Sequence, residues 1–528
     1  LSRDRFAEKP LYLLETDHGF YFGSEVKFIR SLYGKDLTIN REQLLRYLIL
    51  GYKSLYKGSE TYFREISEIG YGSNLSITSN LVKTSYRYWK PEVKIDKNLS
   101  IQDAIHGARK HLLESMKIRL RSDVPLAFCL SGGIDSASLV SMAAKEFNCK
   151  VSTFSIIDKD ERYDESDNIR SVIEDTGSDS TRIHLSYENV IPKLKELIEY
   201  HDAPVATITY FIHSLLSEKI SEKGYRVAFS GTGADELFTG YYDHFLLHLN
   251  SVRSLNSYSG FLSNWKQHIL PFVRSPVLQN PELYQINSDY REHVFDNHHE
   301  FRSYTKQEFK ESFSEVNFDD SLLRSRMLNE LFHEATPLIL HEDDLNSMCY
   351  SIENRSPFLD SRLLKFMLTV PDEFLIQKGY GKYILREAMS GILTDKVRLD
   401  RQKKGFNASI NSLFDFENPD IREFVLDPSS PITDMLDIKK IEINDLLQKI
   451  IHFFNQEEQN KIHLAPFLKN NYCFVDLTKM IICIKNIIQN AFKYGDSSKG
   501  VLISVQATRD TYQLSIKDFG KGVGEKDQ

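Results

Sequence analysis

The chain opens with short alternations of apolar and polar residues. LYLLET (11–16), FYFGSEV (20–26), SNLSITS (73–79) and VKTSYRYW (82–89) keep a period of two and are separated by Gly, Asn and Asp. That pattern predicts antiparallel strands with one covered face. LTINREQLLRYLILG (37–51) interrupts them with helical spacing, and WKPEV (89–93) reads as a linker because proline disfavours helix in the residue before it. From about 100 to 245 the texture changes. A helix over IQDAIHGARKHLLESMKIRL leads to the strand LAFCL, and three further strands then alternate with helices as far as RVAFSG. Nearly all-apolar strands between helices predict a parallel sheet covered on both faces. Residues 246–440 read as mostly helical, with an aromatic-rich middle. Beyond 441, INDLLQKIIHFFNQ and LTKMIICIKNIIQNAFKYG predict helices, and GVLISVQA and TYQLSIKDFG the two strands of a hairpin.

At 528 residues the chain exceeds one core, and several domains are expected. The net charge of −8 is spread over both signs, which argues against a broad nucleic-acid footprint. Five scattered cysteines without CxxC spacing argue against a disulfide framework or zinc site and favour a cytoplasmic location. No stretch approaches the roughly 18–20 apolar residues that span a bilayer.

One junction carries chemistry. SGGIDS (131–136) follows LAFCL and precedes a helix. Glycines let a phosphate approach the main chain, and the helix N-terminus adds its positive dipole end. Asp135 beside a bare phosphate would repel it, but fits if a magnesium ion lies between them. The plainer reading is a tight strand-to-helix turn, where Gly, Ser and Asp are common.

The surroundings decide between the two. SGGIDS resembles the pyrophosphate loop of ATP pyrophosphatases. FSGTGADELFTGYY (229–242), YSIENRSPFLDSRLLKF (350–366), GKYILREAM (381–389) and RQKKGF (401–406) resemble, in order, the asparagine synthetase family. RDRFAEKPLYLL (3–14) and FYFGSEVKFI (20–29) resemble the end of its glutaminase domain. The resemblance implies an α/β fold: an ATP pyrophosphatase-type parallel sheet with a helical C-terminal half over 95–440, preceded over 1–90 by an antiparallel remnant of an Ntn-hydrolase glutaminase. It implies adenylation of a side-chain carboxylate by ATP and displacement of AMP by ammonia. Ser131, Gly132, Gly133, Asp135 and Ser136 would hold the pyrophosphate, and Asp135 and Asp235 the magnesium. Leu130, Ile156, Ser230 and Gly231 would line the nucleotide pocket, chiefly through backbone. Lys382 would offset transition-state charge, and Arg355 and Asp360 would form an ion pair or touch substrate. The partners implied are ATP, aspartate or a related acid, and ammonia, with no nucleic acid and no membrane; a homodimer is compatible with this.

Two departures stand out. The family signature carries glutamate where this chain has Thr232, and a hydroxyl is no base near neutral pH. Either His201, Glu236 or Tyr241 substitutes, or the acceptor differs from aspartate, for example a sugar acid. The family glutaminase also uses an N-terminal cysteine, whereas the first cysteine here is Cys129. Ammonia rather than glutamine is therefore the expected donor. Residues 441–528 raise a second nucleotide motif. NIIQNAFKYG (486–495) and DFGKGVG (518–524) resemble the N-box and first glycine box of histidine-kinase ATPase domains, with Asn486, Asn490, Asp518, Gly520 and Gly522 at the matching positions. His452 and His463 lack the context of a phosphorylated histidine, and the segment is expected to be a partial α+β unit that binds no ATP usefully. The alternatives to a ligase are a signalling protein, in which a degenerate synthetase senses a nucleotide, and an inactive fragment.

Overall fold

The computed structural model describes residues 1–401 except 159–164, 187, 274 and 296–297. Beyond 401 it describes 410, 413–414, 429–436, 441–442, 462–464, 472–473, 484–485, 487–488, 500–507 and 512–517. The chain divides into two compact units, Leu1–Arg302 with Glu308–Asp427, and Ser303–Gln307 with Pro428–Gln528.

The larger unit begins with the alternating segments. β1 (Tyr12–Thr16), β2 (Gly19–Gly23) and β3 (Ile66–Glu68) form an antiparallel sheet in the order β2-β1-β3, with Leu14 opposite Tyr21 and Ile66. β4 (Ser73–Ile77) and β5 (Lys83–Arg87) form a separate hairpin. Helices α1 (Val26–Tyr33) and α2 (Arg41–Leu50) complete the segment, α2 starting at Asn40, whose side chain accepts the Gln43 N–H. Residues 1–90, expected as a domain of their own, share a core with the later helices. Phe6 and Tyr71 pack on Phe332 at ring-centroid distances of 5.9 and 4.5 Å.

The central sheet is parallel, as its unbroken apolar strands require. β6 (Leu126–Cys129), β7 (Ser152–Ile157), β8 (Asp179–His184), β9 (Val227–Phe229) and β10 (Glu353–Arg355) lie in the order β10-β9-β6-β7-β8. Ala127 pairs with Ser152 on one side and Ala228 on the other, and the Phe128 and Phe229 rings stack at 4.6 Å. α3 (Ile101–Arg119), α4 (Ile134–Lys145), α5 (Ser166–Thr176), α6 (Val190–His201) and α7 (Ile208–Glu222) supply the connections. β10 was not expected: its sequence, Glu-Asn-Arg, carries no apolar signal, and only the neighbouring β9 makes it a strand. The chain runs from β6 through β7 to β8 in one direction and then crosses to β9 on the opposite side of β6. Such a reversal opens a crevice beyond the carboxyl ends of the strands, where open α/β sheets bind ligands.

The aromatic-rich middle is helical and encloses charge. After α8 (Ala234–Phe238), α9 (Tyr242–Ser251) and α10 (Tyr258–His268), helices at Leu322–Phe332 and Ala335–Cys349 pack against the sheet assembly. Arg326 is fully buried and meets Asp243 at 3.3 Å, Glu330 at 3.0 Å and Glu334 at 2.9 Å, with Glu315 also in contact. His244 bonds Glu330 at 2.6 Å. Asp243, His244 and Glu330 converge as metal ligands do, but Arg326 is the cation that meets the two carboxylates.

In the smaller unit, strands Val501–Ala507 and Tyr512–Lys517 pair antiparallel, Leu502 with Lys517 and Ala507 with Tyr512, where the hairpin was expected. Ile462–Leu464 joins that hairpin in parallel. Asn486, Asn490, Asp518, Gly520, Gly522 and His452 lie outside the described residues, and His463 is described only as part of a strand. Among the described residues no helix is long and apolar enough to cross a membrane.

Removing Arg326 would leave several buried carboxylates without their cation. Arg326→Leu is expected to cost about 3–5 kcal/mol, read as a fall of several degrees in the thermal unfolding midpoint. An unchanged midpoint would show the cluster to be neutral to stability.

Candidate active site

The SGGIDS loop leaves β6 at the switch point and turns into α4. Its entry is clamped by β7: the Leu130 N–H donates to the Phe154 carbonyl at 2.9 Å, and the Ser155 hydroxyl to the Leu130 carbonyl at 2.7 Å. Gly132 adopts φ +85°, and a Cβ there would lie 2.9 Å from Glu165 Cβ and 3.1 Å from its carbonyl oxygen, so only glycine fits. Ser131 and Ser136 bond through their hydroxyls at 3.0 Å and close the loop on itself. The first turn of the twelve-residue α4 then lies on the wall of a cavity of about 750 Å³.

The second loop leaves β9, the strand on the other side of β6. Its Ser230 N–H donates to the Arg355 carbonyl at 3.0 Å, so the unexpected strand β10 anchors it. The Ser230 hydroxyl meets Thr232 Oγ1 at 3.1 Å and Ser356 Oγ at 3.3 Å. Asp235 follows in the first turn of α8. The third element comes from the C-terminal half, where Lys382 caps the helix Tyr383–Ala388 in a left-handed conformation, φ +54°.

These three meet. Lys382 Nζ lies 2.6 and 2.8 Å from the two Asp135 oxygens and 2.7 Å from Asp235 Oδ1. Burial alone would push the ammonium down, but the two carboxylates outweigh it and hold Lys382 above the usual lysine value. Asp135 and Asp235 therefore face one point and can share one cation. Two hard carboxylate oxygens converging there are the donor set that suits magnesium.

Ser131, Gly132, Gly133, Asp135, Ser136, Ser230, Gly231, Thr232, Asp235 and Lys382 all line this cavity. Leu130 and Ile156 are not on its wall: Leu130 is fully buried in the core, and Ile156 packs with the apolar clusters behind the sheet. Arg355 bonds the Arg121 carbonyl at 2.8 Å and Glu353 at 2.8 Å. Asp360 caps the helix Ser361–Met367 and meets Arg119 at 3.2 Å. Both are framework residues, and they are not paired with each other. Of the stand-ins for a base at position 232, His201 is buried off the cavity and held down at about 3 by that burial. Tyr241 is on the wall, but burial and then the Glu236 charge push its hydroxyl far above the usual tyrosine value. Glu236 is buried beneath it, raised to about 7 by burial and by Asp235, and accepts the Tyr241 O–H at 2.6 Å.

Sequence reasoning missed several cavity residues. Arg386 lies one turn beyond Lys382, and Arg386 and Arg401 approach the Tyr380 ring at 5.3 and 3.9 Å. The helical interval from Lys382 to Arg386 was a readable signal. His213 with Asp343, at 2.9 Å, and Lys53 from the N-terminal segment had none.

A family model described as asparagine synthase matches residues 107–449, and one described as a glutamine amidotransferase domain matches residues 1–89. The chain belongs to the asparagine synthase family. It is 27% identical over 438 residues to Asparagine synthetase [glutamine-hydrolyzing] 1 of Bacillus subtilis, covering 78% of this chain and 65% of that protein. It is 32% identical over 269 residues to a putative asparagine synthetase of Methanocaldococcus jannaschii, covering 48% of each. Amidase chyE of Penicillium rubens is 24% identical over 460 residues, covering 75% of this chain and 65% of that protein. The chain thus spans 65% or less of the length of these curated relatives.

In this asparagine synthase family member, Gly240 is what allows Asp235 and Lys382 to meet. A Cβ at Gly240 would overlap Asp235 Oδ1 and come within 2.6 Å of Lys382 Cε. Gly240→Ala is expected to destabilise the protein by about 1–3 kcal/mol in thermal unfolding. Gly260→Ala, on the open side of α10 with nothing near its Cβ, should be neutral or slightly stabilising.

Proposed function

We propose that the protein is an ATP-dependent carbon–nitrogen ligase that activates a carboxylate as its adenylate and passes the acyl group to ammonia. The observation that carries this reading is the seat of Lys382 between Asp135 and Asp235, at the phosphate-type loop of an asparagine synthase family member. In the first step a carboxylate oxygen of the acceptor attacks the α-phosphorus of ATP. The bond to the bridging oxygen breaks, and pyrophosphate leaves with the electron pair. In the second, ammonia attacks the acyl carbon, the bond to AMP oxygen breaks, and the nitrogen loses a proton. Adenylation replaces a poor leaving group with a good one.

The chain's own residues serve the first step. The Ser131–Ser136 loop and the first turn of α4 present main-chain N–H groups and a helix dipole to the departing phosphates. Lys382 adds a full positive charge that burial keeps unscreened. Asp135 and Asp235 would hold magnesium, which when bound neutralises charge on the leaving group. Arg386, a turn from Lys382, stands ready for further phosphate charge.

Ammonia is the proposed nitrogen source. Burial pushes the Cys129 thiol up to about 12, and the Cys149 and Cys349 thiols are also raised by burial. None of these three is a thiolate nucleophile near neutral pH.

Exchange of labelled pyrophosphate into ATP, dependent on an added carboxylic acid, tests the reading across a panel of acids that includes aspartate and sugar acids. Exchange with at least one acid is expected, falling about 10²–10³-fold in Lys382→Met and Asp135→Asn. No acid-dependent exchange would sink it. Incubation with glutamine should release no glutamate above the level seen in a Cys129→Ser variant.

A further inference from the structure

The adenylation chemistry leaves Lys53, a cation on the cavity wall, without a role. It lies in the short turn Tyr52–Ser54 after α2, and both Tyr52 and Lys53 line the cavity. The turn is tied down from several sides. The Tyr47 hydroxyl lies 3.2 and 3.1 Å from the Val205 and Ala206 carbonyl oxygens, and Leu55 is buried against Ala206, Tyr210 and Leu338. The ammonium stands 5.9 Å from the centre of the Tyr241 ring, within reach of the ring's negative face.

The acids of this wall are already engaged. Asp135 and Asp235 hold Lys382, Asp343 meets His213, Asp400 accepts from the Asn168 amide, Glu165 too is not without a partner, and Glu236, beneath the wall, accepts the Tyr241 hydroxyl. Position 232 carries an uncharged hydroxyl. Among the described residues no carboxylate lies within ion-pair distance of Lys53, which is half-buried and borders the cavity. A cation in that position can be met by an anion that arrives with the substrate.

We infer that Lys53 binds a second acidic group of the acceptor, distinct from the carboxylate that is activated beside Lys382. The inference rests on the ligase reading above and narrows it: the preferred acceptor carries at least two anionic groups, and the N-terminal segment reads one of them. A neutral monocarboxylic acid would leave Lys53 without a counterpart and gain nothing from it.

The test uses the full chain in acid-dependent pyrophosphate exchange. The best dianionic acid in the wild type is compared with its monoamide or another neutral-tailed analogue. Lys53→Gln is expected to raise the KM for the dianionic acid roughly tenfold or more, leave the KM for ATP unchanged, and leave the neutral analogue's KM where it was. Lys53→Arg should restore most of the loss, and the thermal midpoints of both variants should match the wild type. Equal KM values for wild type and Lys53→Gln with the dianionic acid would overturn the inference alone. So would an equal loss with both acids, or a loss that arginine does not rescue. Silence of the wild type with every acid would instead sink the ligase reading, and the inference with it.

Discussion

One ammonium held within hydrogen-bonding distance of two aspartates ties together three stretches that are remote in sequence. Asp135 arrives from β6, Asp235 from β9 and Lys382 from a helix of the C-terminal half. Two carboxylates that face one point in a partly buried crevice are favoured by a cation between them, and the same two carboxylates offset the burial of Lys382 and hold it above the usual lysine value. Each depends on the other two. The arrangement also limits what can enter: a phosphate approaching the loop after β6 meets a positive charge whose position is already set, so little reorganisation accompanies binding.

The sheet order makes that meeting feasible. Because the chain reverses direction around β6, the loops after β6 and β9 leave adjacent strands side by side and leave a gap between them. Two short clamps keep the gap in shape, Ser155 on the Leu130 carbonyl and the Arg355 carbonyl on the Ser230 N–H. The second clamp shows how the block around NRSPFLD supports the loop after β9, besides placing Asn354 on the cavity wall. Its first residues form an edge strand, its arginine side chain is spent on carbonyls near the end of α3, and its aspartate starts a helix.

Much of this was legible in the sequence, for identifiable reasons. The strands β6 and β7 are continuous apolar runs, α4 follows a glycine-rich turn, and the paired signatures at 131–136 and 229–242 name both carboxylates. Lys382 was legible only from its block, since a single lysine on a helix carries no pattern. What was missed is what depends on tertiary proximity. β10 has a polar sequence and is a strand because β9 offers it a free edge. Arg326 lies in a segment whose apolar residues suggest an ordinary amphipathic helix, whereas every residue from Leu323 to Phe332 is buried. Leu130 and Ile156 were assigned to the nucleotide pocket chiefly through backbone, and their side chains accordingly pack in the core. Lys53 lies in a segment whose resemblance is to a glutaminase, and nothing in that resemblance sends it to the synthetase cavity.

The position of Lys53 has a mechanical origin in the buried charges. Lys57, four residues further along the same segment, meets Glu334 at 3.4 Å, Glu334 meets Arg326 at 2.9 Å, and Arg326 meets Asp243 at 3.3 Å. Asp243 is the second residue of α9, and Tyr241 lies immediately before that helix. A continuous run of ionic contacts therefore connects the turn that bears Lys53 to the loop that bears Tyr241, the ring over which its ammonium stands. Apolar packing of the same volume would tolerate a slip of a turn more readily, because methylene contacts are not directional, whereas a buried guanidinium with several acidic partners is satisfied in few arrangements. The charged core thus does for the N-terminal segment what the Lys382 pair does for the two loops. It fixes where a cation stands on the wall of the same cavity.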